Sequence, residues 1–283
     1  MQIAIVIPTY NERANIMALI PQIRQATKDI VYSTFGGGSP ISETESTTAT
    51  IRNCIHIIVV DDNSSDGTAD AVLTLSAKDN NIHLIKRPGK MGLGSAYKDA
   101  FKWINNNLDA EIVVQMDADL SHPPHLLTKM TELVAAGSAD AVIASRYLDK
   151  GGTQNWPVHR RLISKGANWL AKSVLGIKVN DITSGYRAYN VSSVRDFLSS
   201  NLSSSGYEYQ IEVLHILSRL DKKIIEIPFT FANRTEGRSK LGIKDIMHFA
   251  STVFKLKFRK VKKKEKQNND NNNDKRSAGN ELV

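Results

Sequence analysis

Short apolar segments alternate with amphipathic segments along the first half of the chain, and this alternation limits the fold more than any other feature. The apolar segments are typical of buried strands and lie at residues 3–7, 55–60, 82–85, 112–116 and 141–144. Helical periodicity is present at residues 16–27, 68–76, 95–105 and 126–134. Strands that are apolar on both faces and separated by helices predict an α/β fold, with a mostly parallel sheet flanked by helices.

The size and composition of the chain are those of an ordinary folded domain. Its 283 residues, of which 41% are hydrophobic, are enough to form a substantial core. The single cysteine, Cys54, excludes a disulfide framework, and we expect a small buried apolar side chain in a reducing compartment. The start lacks the basic segment of a signal peptide, and no apolar stretch reaches the roughly 18 residues of a membrane span. We therefore expect a protein that is neither secreted nor, by itself, transmembrane.

The net charge of +8 is concentrated near the C-terminus. The segment KLKFRKVKKKEK at 255–266 contains eight Lys or Arg and one Glu, which gives +7 and leaves the remainder nearly balanced. The following QNNDNNND is typical of disorder, and GGGSPISETESTTAT is typical of a flexible surface insertion. We expect one folded domain at 1–242 with an insertion at about 33–50, an amphipathic and basic helix at 243–264, and a disordered tail at 265–283.

Acidic and amide side chains follow three of the predicted strands, in PTYNE, VVDDNSSDGT and MDADLSHPP. The carboxyl ends of parallel strands share one edge of a sheet, where ligands of such folds bind. Crowded carboxylates repel one another, so three such clusters predict a bound cation or a donor-rich ligand. Capping of the following helix remains an open alternative for Asp66 and a weaker one for Asp62.

The spacing of Asp117 and Asp119 predicts a divalent-cation site. The chain has no G-x-x-x-x-G-K-[ST] loop, and GKMGLGSA at 89–96 lacks the third glycine spacing of a dinucleotide fingerprint. Two carboxylates suit Mg²⁺ or Mn²⁺ with positions left open for substrate phosphates. His122 and His125 are separated by two prolines, which favour a loop and a helix start, so we do not predict them as metal ligands.

The order of these motifs resembles that of the inverting glycosyltransferases of family 2 with the GT-A fold, and more closely the polyprenol (dolichyl) monophosphate mannose synthases. The resemblance covers about residues 2–255 and rests on PTYNE, VVDDNSSDGT, GLGSAY, MDADLSHPP, ASRY, HRRLISKGAN, DITSGYRAY and NRTEGRSKL. It implies a single nucleotide-sugar-binding domain of the GT-A type. It also implies inverting transfer of mannose from GDP-mannose to a polyprenyl or dolichyl phosphate, giving a β-linked lipid phosphomannose for glycan assembly.

The resemblance also assigns roles to individual residues. The predicted donor-binding residues are Pro8, Tyr10, Glu12, Val60, Asp62, Asp117, Ala118, Asp119, Ser121, Arg234 and Lys240. The predicted metal ligands are Asp117 and Asp119, for Mg²⁺ or Mn²⁺, and Ser121 stands where relatives often have glutamine. The predicted acceptor-phosphate residues are Arg146, Arg160 and Arg187, with a structural ion pair as the alternative for Arg187. The predicted catalytic residues are Asp119, Arg146 and Arg160. In this interpretation Arg234 and Lys240 belong to a flexible loop that closes over the donor diphosphate.

A phosphate acceptor also explains why the sequence offers no evident general base. The second pKa of a phosphomonoester is about 6, so the acceptor is already a nucleophilic anion at neutral pH. The protein then has to hold two anions in line and neutralise the departing diphosphate. We therefore interpret Asp61, Asp62 and Asp66 as donor or fold contacts rather than as a base.

Two alternative functions remain open. One is a glucosyl enzyme that uses UDP-glucose, because the preference for guanine over uracil does not follow from motif spacing. The other is a module that binds an anionic surface or nucleic acid through the basic tail. We expect no nucleic-acid partner, because the acidic strand ends face the wrong way for a polyanion.

The end of the chain predicts contact with a membrane surface. One helical face carries Ile243, Ile246, Met247, Ala250, Val253 and Phe254, and the lysine-rich run follows directly. An apolar stripe beside a cationic cluster favours a helix at the interface of an anionic bilayer, with packing on the domain as the alternative. We expect a cytoplasmic protein that is peripheral on the cytosolic face of a membrane, the endoplasmic reticulum in a eukaryote. Some relatives depend on small membrane subunits, so an anchoring subunit is an expected kind of partner.

Overall fold

The computed structural model describes residues 1–28, 30, 55–154, 156–200, 202–232 and 243–259. The expectations for Cys54, the insertion at 33–50, Arg234, Lys240 and the tail at 265–283 lie outside the described residues. The strands are β1 (Ile3–Thr9), β2 (Ile55–Asp61), β3 (Ile82–Lys86), β4 (Ile112–Gln115), β5 (Ala141–Ser145), β6 (Gly152–Thr153), β7 (Arg187–Asn190), β8 (Ile224–Pro228) and β9 (Thr230–Phe231). The helices are α1 (Arg13–Ala26), α2 (Thr68–Ser76), α3 (Leu93–Asn107), α4 (Leu126–Ala135), α5 (Val158–Leu175), α6 (Val191–Ser199), α7 (Tyr209–Arg219) and α8 (Ile243–Lys257).

Seven of the described strands form one sheet in the order β3-β2-β1-β4-β7-β5-β8, and β6 pairs with β9 separately. Strands β1 to β4 pair in parallel, as do β5 and β8, whereas β7 runs antiparallel to both of its neighbours. All residues of β2, β4 and β5 are buried. The prediction of an α/β fold with a mostly parallel sheet between helices is confirmed.

The two faces of β1 enter two different cores. Ile3, Ile5 and Ile7 pack with side chains of α1 and α4 on one side of the sheet. Ala4 and Val6 pack with side chains of α3 and α7 on the other side. Because successive side chains of a strand point to opposite faces, a strand covered by helices on both sides has to be apolar throughout.

The strand order reverses between β1 and β4. From β1 the chain proceeds outward to β2 and β3, and it then returns to place β4 on the opposite side of β1. Thr9 at the end of β1 pairs with Asp61 at the end of β2, while Gln115 at the end of β4 pairs with Val6. The loops after β1, β2 and β4 therefore share the edge of the sheet at which such folds bind ligands.

Helix α8 packs on α5 and α7 and belongs to the folded domain. The side chains of Val253 and Leu256 are buried in a core cluster with residues of β5 and α7. Met247 and Phe254, in contrast, are 68% and 52% exposed. The alternative of packing on the domain applies to Val253, so the six predicted residues do not form one membrane-facing stripe. Two further residues of the predicted stripe, Ile243 and Ile246, have side chains outside the described part of the chain.

The end of α8 is attached to the domain by a buried ion pair. Arg259 donates hydrogen bonds to the carboxylate of Glu212, which is fully buried, and to the carbonyl oxygen of Ser200. One of the eight basic residues of the C-terminal run thus makes a structural contact. Within the described ranges, every helix is too short or too polar to cross a bilayer.

Candidate functional site

The loop after β2 is shaped by Asp61, which is fully buried. Its carboxylate accepts hydrogen bonds from the Thr9 hydroxyl at 3.1 Å, and from the Ser64 amide and hydroxyl at 3.0 and 2.5 Å. The preceding loop after β1 is attached to the same turn, since the Asn11 amide donates to the Ser64 hydroxyl at 2.8 Å. Asp61 is a fold contact that holds the ends of β1 and β2 together.

Asp66 caps helices rather than facing the crevice. One of its oxygens accepts from the amide and hydroxyl of Thr68 in the first turn of α2, at 3.0 and 2.5 Å. The other oxygen accepts from the Arg13 amide, at the start of α1, at 3.0 Å. The capping alternative for Asp66 is confirmed.

Asp62 lies at the rim beside a cation that sequence reasoning did not identify. Its carboxylate is 2.9 Å from the Arg87 guanidinium, which is itself held by Ser95 at 2.8 Å and Asp99 at 3.3 Å. Burial outweighs the attraction of Arg87 and raises the pKa of Asp62. The position of Asp62 next to the switch point suits a polar ligand with hydrogen-bond donors.

The remaining residues predicted around the nucleotide differ in how far their side chains are exposed. Tyr10 is 45% exposed, and the Lys90 ammonium lies 4.6 Å from its ring centroid, which leaves an amphipathic surface at the edge. Glu12 is partly buried and accepts a hydrogen bond from Asn15 at 2.6 Å. Val60 is fully buried in the core, so its side chain does not line a pocket. The other two predicted residues are Pro8, which is partly buried, and Ala118, which is buried in the core.

The loop after β4 gives its two carboxylates different environments. Asp117 is 28% exposed, whereas Asp119 is 7% exposed. Leu120 adopts a left-handed conformation with φ of 62°, and the turn brings Ser121 back onto Asp119. The Ser121 amide and hydroxyl donate to one Asp119 oxygen at 3.1 and 2.5 Å. Ser121 therefore orients Asp119, a contact that the sequence did not predict.

His122 fixes the backbone of the other aspartate. Its Nδ1 accepts a hydrogen bond from the Asp117 amide at 2.9 Å, and its Nε2 lies 3.7 Å from the Asp117 carboxylate. With Nδ1 already used in this way and the ring buried, His122 is a positioning residue. His125 is exposed at the start of α4. Within the described residues, no group of three or more His, Cys, Asp or Glu is arranged to hold a metal.

The donor set of this loop fits an ion that is shared with a ligand. Asp117 and Asp119 supply carboxylates, and Ser121 supplies a hydroxyl. Mg²⁺ and similar ions in phosphate-transfer sites take one or two protein carboxylates and fill their other positions with water and phosphate oxygens. The described residues alone are too few for a protein cage, but they match such a shared site.

A cluster of buried aromatic rings extends from this loop toward α5. The ring of His122 stacks on Tyr186 with centroids 4.8 Å apart and meets Phe231 edge-on at 6.1 Å. Phe231 meets Trp156 edge-on at 5.3 Å. The Arg160 guanidinium lies over Trp156, 3.9 Å from the ring centroid. This aromatic cluster connects the acidic loop with a cation on α5.

Arg146 follows β5 and is buried with its fork occupied. Its Nε and Nη2 donate to the two oxygens of Asp181 at 2.7 and 2.6 Å, and Nη2 also donates to Thr183 at 2.8 Å. Two of the guanidinium nitrogens of Arg146, a predicted acceptor-phosphate residue, are thus bonded to Asp181 and Thr183. Arg161 donates to the carbonyl oxygen of Trp156 at 3.1 Å and lies on the more exposed side of α5.

Arg187 has a structural role. The side chain is fully buried, and it donates to the carbonyl oxygens of Ser184, Gln210 and Ile182 at 2.7, 2.8 and 2.7 Å. A guanidinium held by three backbone carbonyls inside the domain does not reach a phosphate at the surface. The prediction that Arg187 binds the acceptor phosphate is wrong, and its partners are carbonyls rather than the ion pair considered as the alternative.

An open groove of about 1180 Å³ lies between α5 and the segment that follows β5. Its lining combines one acidic side chain with five basic ones, namely Arg146, Arg161, Lys165, Lys172 and Lys178. Trp169, also in the lining, is 69% exposed. This groove can accommodate a ligand that is both anionic and apolar.

The chain matches the family model described as glycosyl transferase family 2 over residues 4–198. An undecaprenyl-phosphate mannosyltransferase of Micrococcus luteus is 35% identical over 243 residues, which are 86% of this chain and 88% of that protein. A polyprenol monophosphomannose synthase of Mycolicibacterium smegmatis is 34% identical over 243 residues, which are 86% of this chain and 82% of that protein. A dolichol-phosphate mannosyltransferase of Pyrococcus furiosus is 34% identical over 90% of this chain and 64% of that protein.

Solved structures resemble this fold at low sequence identity. The glucosyl-3-phosphoglycerate synthase of Mycobacterium tuberculosis, crystallised with Mn²⁺, UDP-glucose and phosphoglyceric acid, aligns with a TM-score of 0.59 and 17% identity, over 90% of this chain and 79% of that one. TarS of S. aureus, crystallised with UDP-GlcNAc, aligns with a TM-score of 0.54 and 15% identity, over 89% of this chain and 65% of that one. These similarities support the same fold.

Proposed function

This chain belongs to glycosyl transferase family 2 and is a glycosyltransferase with a GT-A fold, and on that premise we propose that it transfers mannose from GDP-mannose to a polyprenyl or dolichyl phosphate. The names of the relatives from Micrococcus luteus and Mycolicibacterium smegmatis support both mannose and a polyprenyl phosphate acceptor. The proposal also specifies that the sugar carbon is inverted and that the donor nucleotide carries guanine.

One observation carries the proposal. The acidic loop with Asp117 and Asp119 and the cation of Arg160 flank the same aromatic cluster, at the carboxyl edge of the sheet. A donor diphosphate held at the acidic loop and an acceptor phosphate held beside α5 would then meet across buried rings. Two anions held close together are the reactants that this transfer requires.

The acceptor phosphate is the proposed nucleophile. As an anion at neutral pH it needs no base, and one of its oxygens attacks the sugar carbon while the bond to the diphosphate breaks. Arg160 is proposed to bind this phosphate. Arg146 is proposed to shape the same basic surface, where its charge contributes although Asp181 occupies its fork. The catalytic contribution of these side chains is orientation and charge, since no proton has to move.

Asp117 and Asp119 are the proposed ligands of Mg²⁺ or Mn²⁺. When bound, the ion supplies positive charge that stabilises the departing diphosphate. Ser121 holds the Asp119 carboxylate, and His122 holds the backbone of Asp117. Tyr10, Glu12 and Asp62 are proposed to face the nucleotide, with backbone rather than side-chain contacts from Val60 and Ala118. Arg234 and Lys240, outside the described residues, stay proposed as donor-loop cations.

A direct transfer assay tests the proposal. Purified protein is incubated with a polyprenyl phosphate, Mg²⁺ and either radiolabelled GDP-mannose or radiolabelled UDP-glucose, and label in the organic phase is counted. We expect label only from GDP-mannose, and hydrolysis of the product should release β-mannose 1-phosphate. Label only from UDP-glucose would replace the donor, and label from neither donor would overturn the proposed reaction.

The acceptor is a membrane lipid, so we also propose a peripheral position on the cytosolic face of a membrane. Helices α5 and α8 pack together, and both expose large apolar side chains. The exposed apolar residues of the two helices are Val158, Leu162, Ile163, Trp169, Met247 and Phe254. Together with the basic residues after 259, these side chains are proposed to bind the bilayer, with or without a small membrane subunit.

A further inference from the structure

Three buried side chains near Asp117 carry polar atoms without hydrogen-bond partners among the described residues. These atoms are the Tyr97 hydroxyl, the Ser184 hydroxyl, and both the nitrogen and the oxygen of the Gln210 amide. Exposed fractions are 0% for Tyr97, 2% for Ser184 and 3% for Gln210. An unpaired buried polar group destabilises the fold, so such groups normally have a partner. The Gln210 amide, with neither its nitrogen nor its oxygen paired, indicates a polar ligand.

The geometry around Gly185 shows where that ligand would lie. A methyl group at the Cα of Gly185 would be 3.5 Å from the Gln210 amide nitrogen, 3.6 Å from an Asp117 carboxylate oxygen and 3.7 Å from His122 Cε1. The amide and the carboxylate thus converge on the position that a side chain of Gly185 would take, and this glycine is partly exposed. Asp117 belongs to the proposed metal site, so this point borders the reacting groups.

The backbone of Gln210 is fixed by buried contacts. Its carbonyl oxygen accepts a hydrogen bond from Arg187 Nη1 at 2.8 Å. The preceding Tyr209 stacks on Tyr97 with centroids 5.7 Å apart, and its hydroxyl accepts from Gln115 Nε2 at 3.1 Å. The start of α7 is held in this way, and the buried side chain of Gln210 keeps its amide beside Asp117. Arg187, although it binds no phosphate, thereby positions a residue at the site.

We propose that the Gln210 amide binds hydroxyl groups of the hexose that is transferred, next to the Asp117 carboxylate. This inference rests on the proposed function. An amide offers donors and acceptors side by side, which matches the hydroxyl groups of a sugar. The adjacent carboxylate favours a ligand that donates hydrogen bonds and disfavours a phosphate, because like charges repel. The diphosphate belongs on the metal side of Asp117, and the sugar belongs on the Gly185 side.

Two substitutions test this assignment by binding rather than by turnover. Gln210→Leu removes the amide with nearly the same volume, and Gly185→Ala places a methyl group at the convergence point, where the contacts above are of ordinary van der Waals length. Titration calorimetry with Mg²⁺ compares GDP and GDP-mannose for each variant. We expect GDP affinity to change by less than about twofold and GDP-mannose affinity to fall about tenfold.

A matched control and a sugar analogue sharpen the test. Gln25→Leu makes the same chemical change at an exposed position of α1 and should leave both affinities unchanged. When the mannose hydroxyl that Gln210 binds is replaced by hydrogen, the affinity of the wild-type protein for the donor should fall by a similar factor. The affinity of Gln210→Leu should not change further on that replacement, because the substitution and the analogue remove the same interaction. Thermal unfolding confirms that each variant is folded.

The outcomes separate this inference from the proposed function. GDP-mannose affinity that survives in both variants, or an equal loss for GDP and GDP-mannose, overturns the role of Gln210 in sugar binding. Failure of the wild-type protein to bind GDP-mannose overturns the proposed donor and the inference together, and is seen before any variant is made. The assignment is supported if both variants lose affinity for GDP-mannose and bind GDP as tightly as the wild-type protein does.

Discussion

Ser121 and His122 make different contacts with the two aspartates of the acidic loop. Ser121 donates twice to one Asp119 oxygen, while His122 holds the backbone of Asp117. The Asp119 carboxylate and the Asp117 backbone are thus held before any ligand arrives, and orientation prepared in this way lowers the cost of assembling the reacting groups. The two acids are separated by Ala118, whose side chain is buried in the core and anchors the turn.

Replacement of Asp119 tests the metal assignment. We expect Asp119→Ala to reduce transfer about 100- to 1000-fold, because the charge on the departing diphosphate loses part of its stabilisation. The control is Asp70→Ala, which removes an exposed carboxylate in the first turn of α2. Initial rates and thermal unfolding are measured for both. Full activity of Asp119→Ala, or full wild-type activity in EDTA, contradicts a metal site at this loop.

Arg160 and Arg161 are adjacent, yet they differ in environment. Arg160 stacks over Trp156, whereas Arg161 is held by the carbonyl of the same residue. We expect Arg160→Ala to raise the KM for the lipid phosphate about 10- to 100-fold, as for loss of a charge-assisted hydrogen bond, and Arg161→Ala to have a smaller effect. GDP-mannose affinity, measured by calorimetry, should stay unchanged. Loss of donor binding in Arg160→Ala would show that Arg160 binds the donor and not the acceptor.

At the scale of elements, α8 is joined to α7 through Glu212. Burial by itself raises the pKa of a carboxyl, but hydrogen bonds from Ser203, Ser204 and Arg259 outweigh it and lower the pKa of Glu212. A lowered pKa means that the folded state binds the proton more weakly than the unfolded state. Glu212 therefore stabilises the fold above its unfolded pKa, and this stabilisation is lost as the pH falls through the lower, folded pKa.

Glu212→Gln tests this attachment. We expect the free energy of unfolding at pH 7 to fall by about 3 kcal/mol, because Arg259 loses its charged partner and Ser203 and Ser204 lose the carboxylate that accepts their hydrogen bonds. The wild type should lose stability as the pH falls below the ordinary carboxyl value of 4.5, and the variant should lose less in that range. Urea unfolding between pH 7 and pH 3 measures both. Parallel pH dependence of the two proteins would show that Glu212 does not stabilise α8.

At the scale of the whole molecule, the acidic edge of the sheet and the basic groove divide the surface by charge. The groove beside α5 is lined by five basic side chains, and the exposed apolar residues of α5 and α8 lie on helices that pack together. A lipid phosphate has both characters, an anionic head and an apolar chain. We infer that the bilayer approaches from the α5 and α8 side of the domain.

Flotation with liposomes tests this orientation. We expect full-length protein to float with anionic liposomes and to be released by salt, since each basic residue near such a surface contributes about 1 kcal/mol. A chain truncated after Arg259 keeps the Glu212 contact and should float less. Leu162→Ser with Trp169→Ser should weaken the part of the binding that resists salt. Equal flotation of all three proteins would remove these residues from membrane binding and point to an anchoring partner.

The first five strands and the helices between them could be predicted from the sequence, because each strand is built on a mostly apolar run, interrupted only by His56 in β2 and His83 in β3 apart from polar residues at strand ends. Strands β7 and β8 could not, since they contain Arg187 and Glu226. Their charges are satisfied only in the folded chain, by carbonyls for Arg187 and by the amides of Asn180 and Asp181 for Glu226. A charged residue in a short strand removes the periodic pattern that identifies it.

The sequence by itself determined which chemistry the site can offer, namely carboxylates after β1, β2 and β4 and arginines after β5. Only the tertiary structure decided which of them are available. Asp61, Asp66 and Arg187 have partners inside the fold, and Arg146 shares its fork with Asp181. Each of these residues has a partner from a distant position in the chain, such as Thr9 for Asp61, besides any local one. A polar side chain is committed to the fold or left for a ligand according to what the folded chain places beside it, and no local pattern records that neighbour.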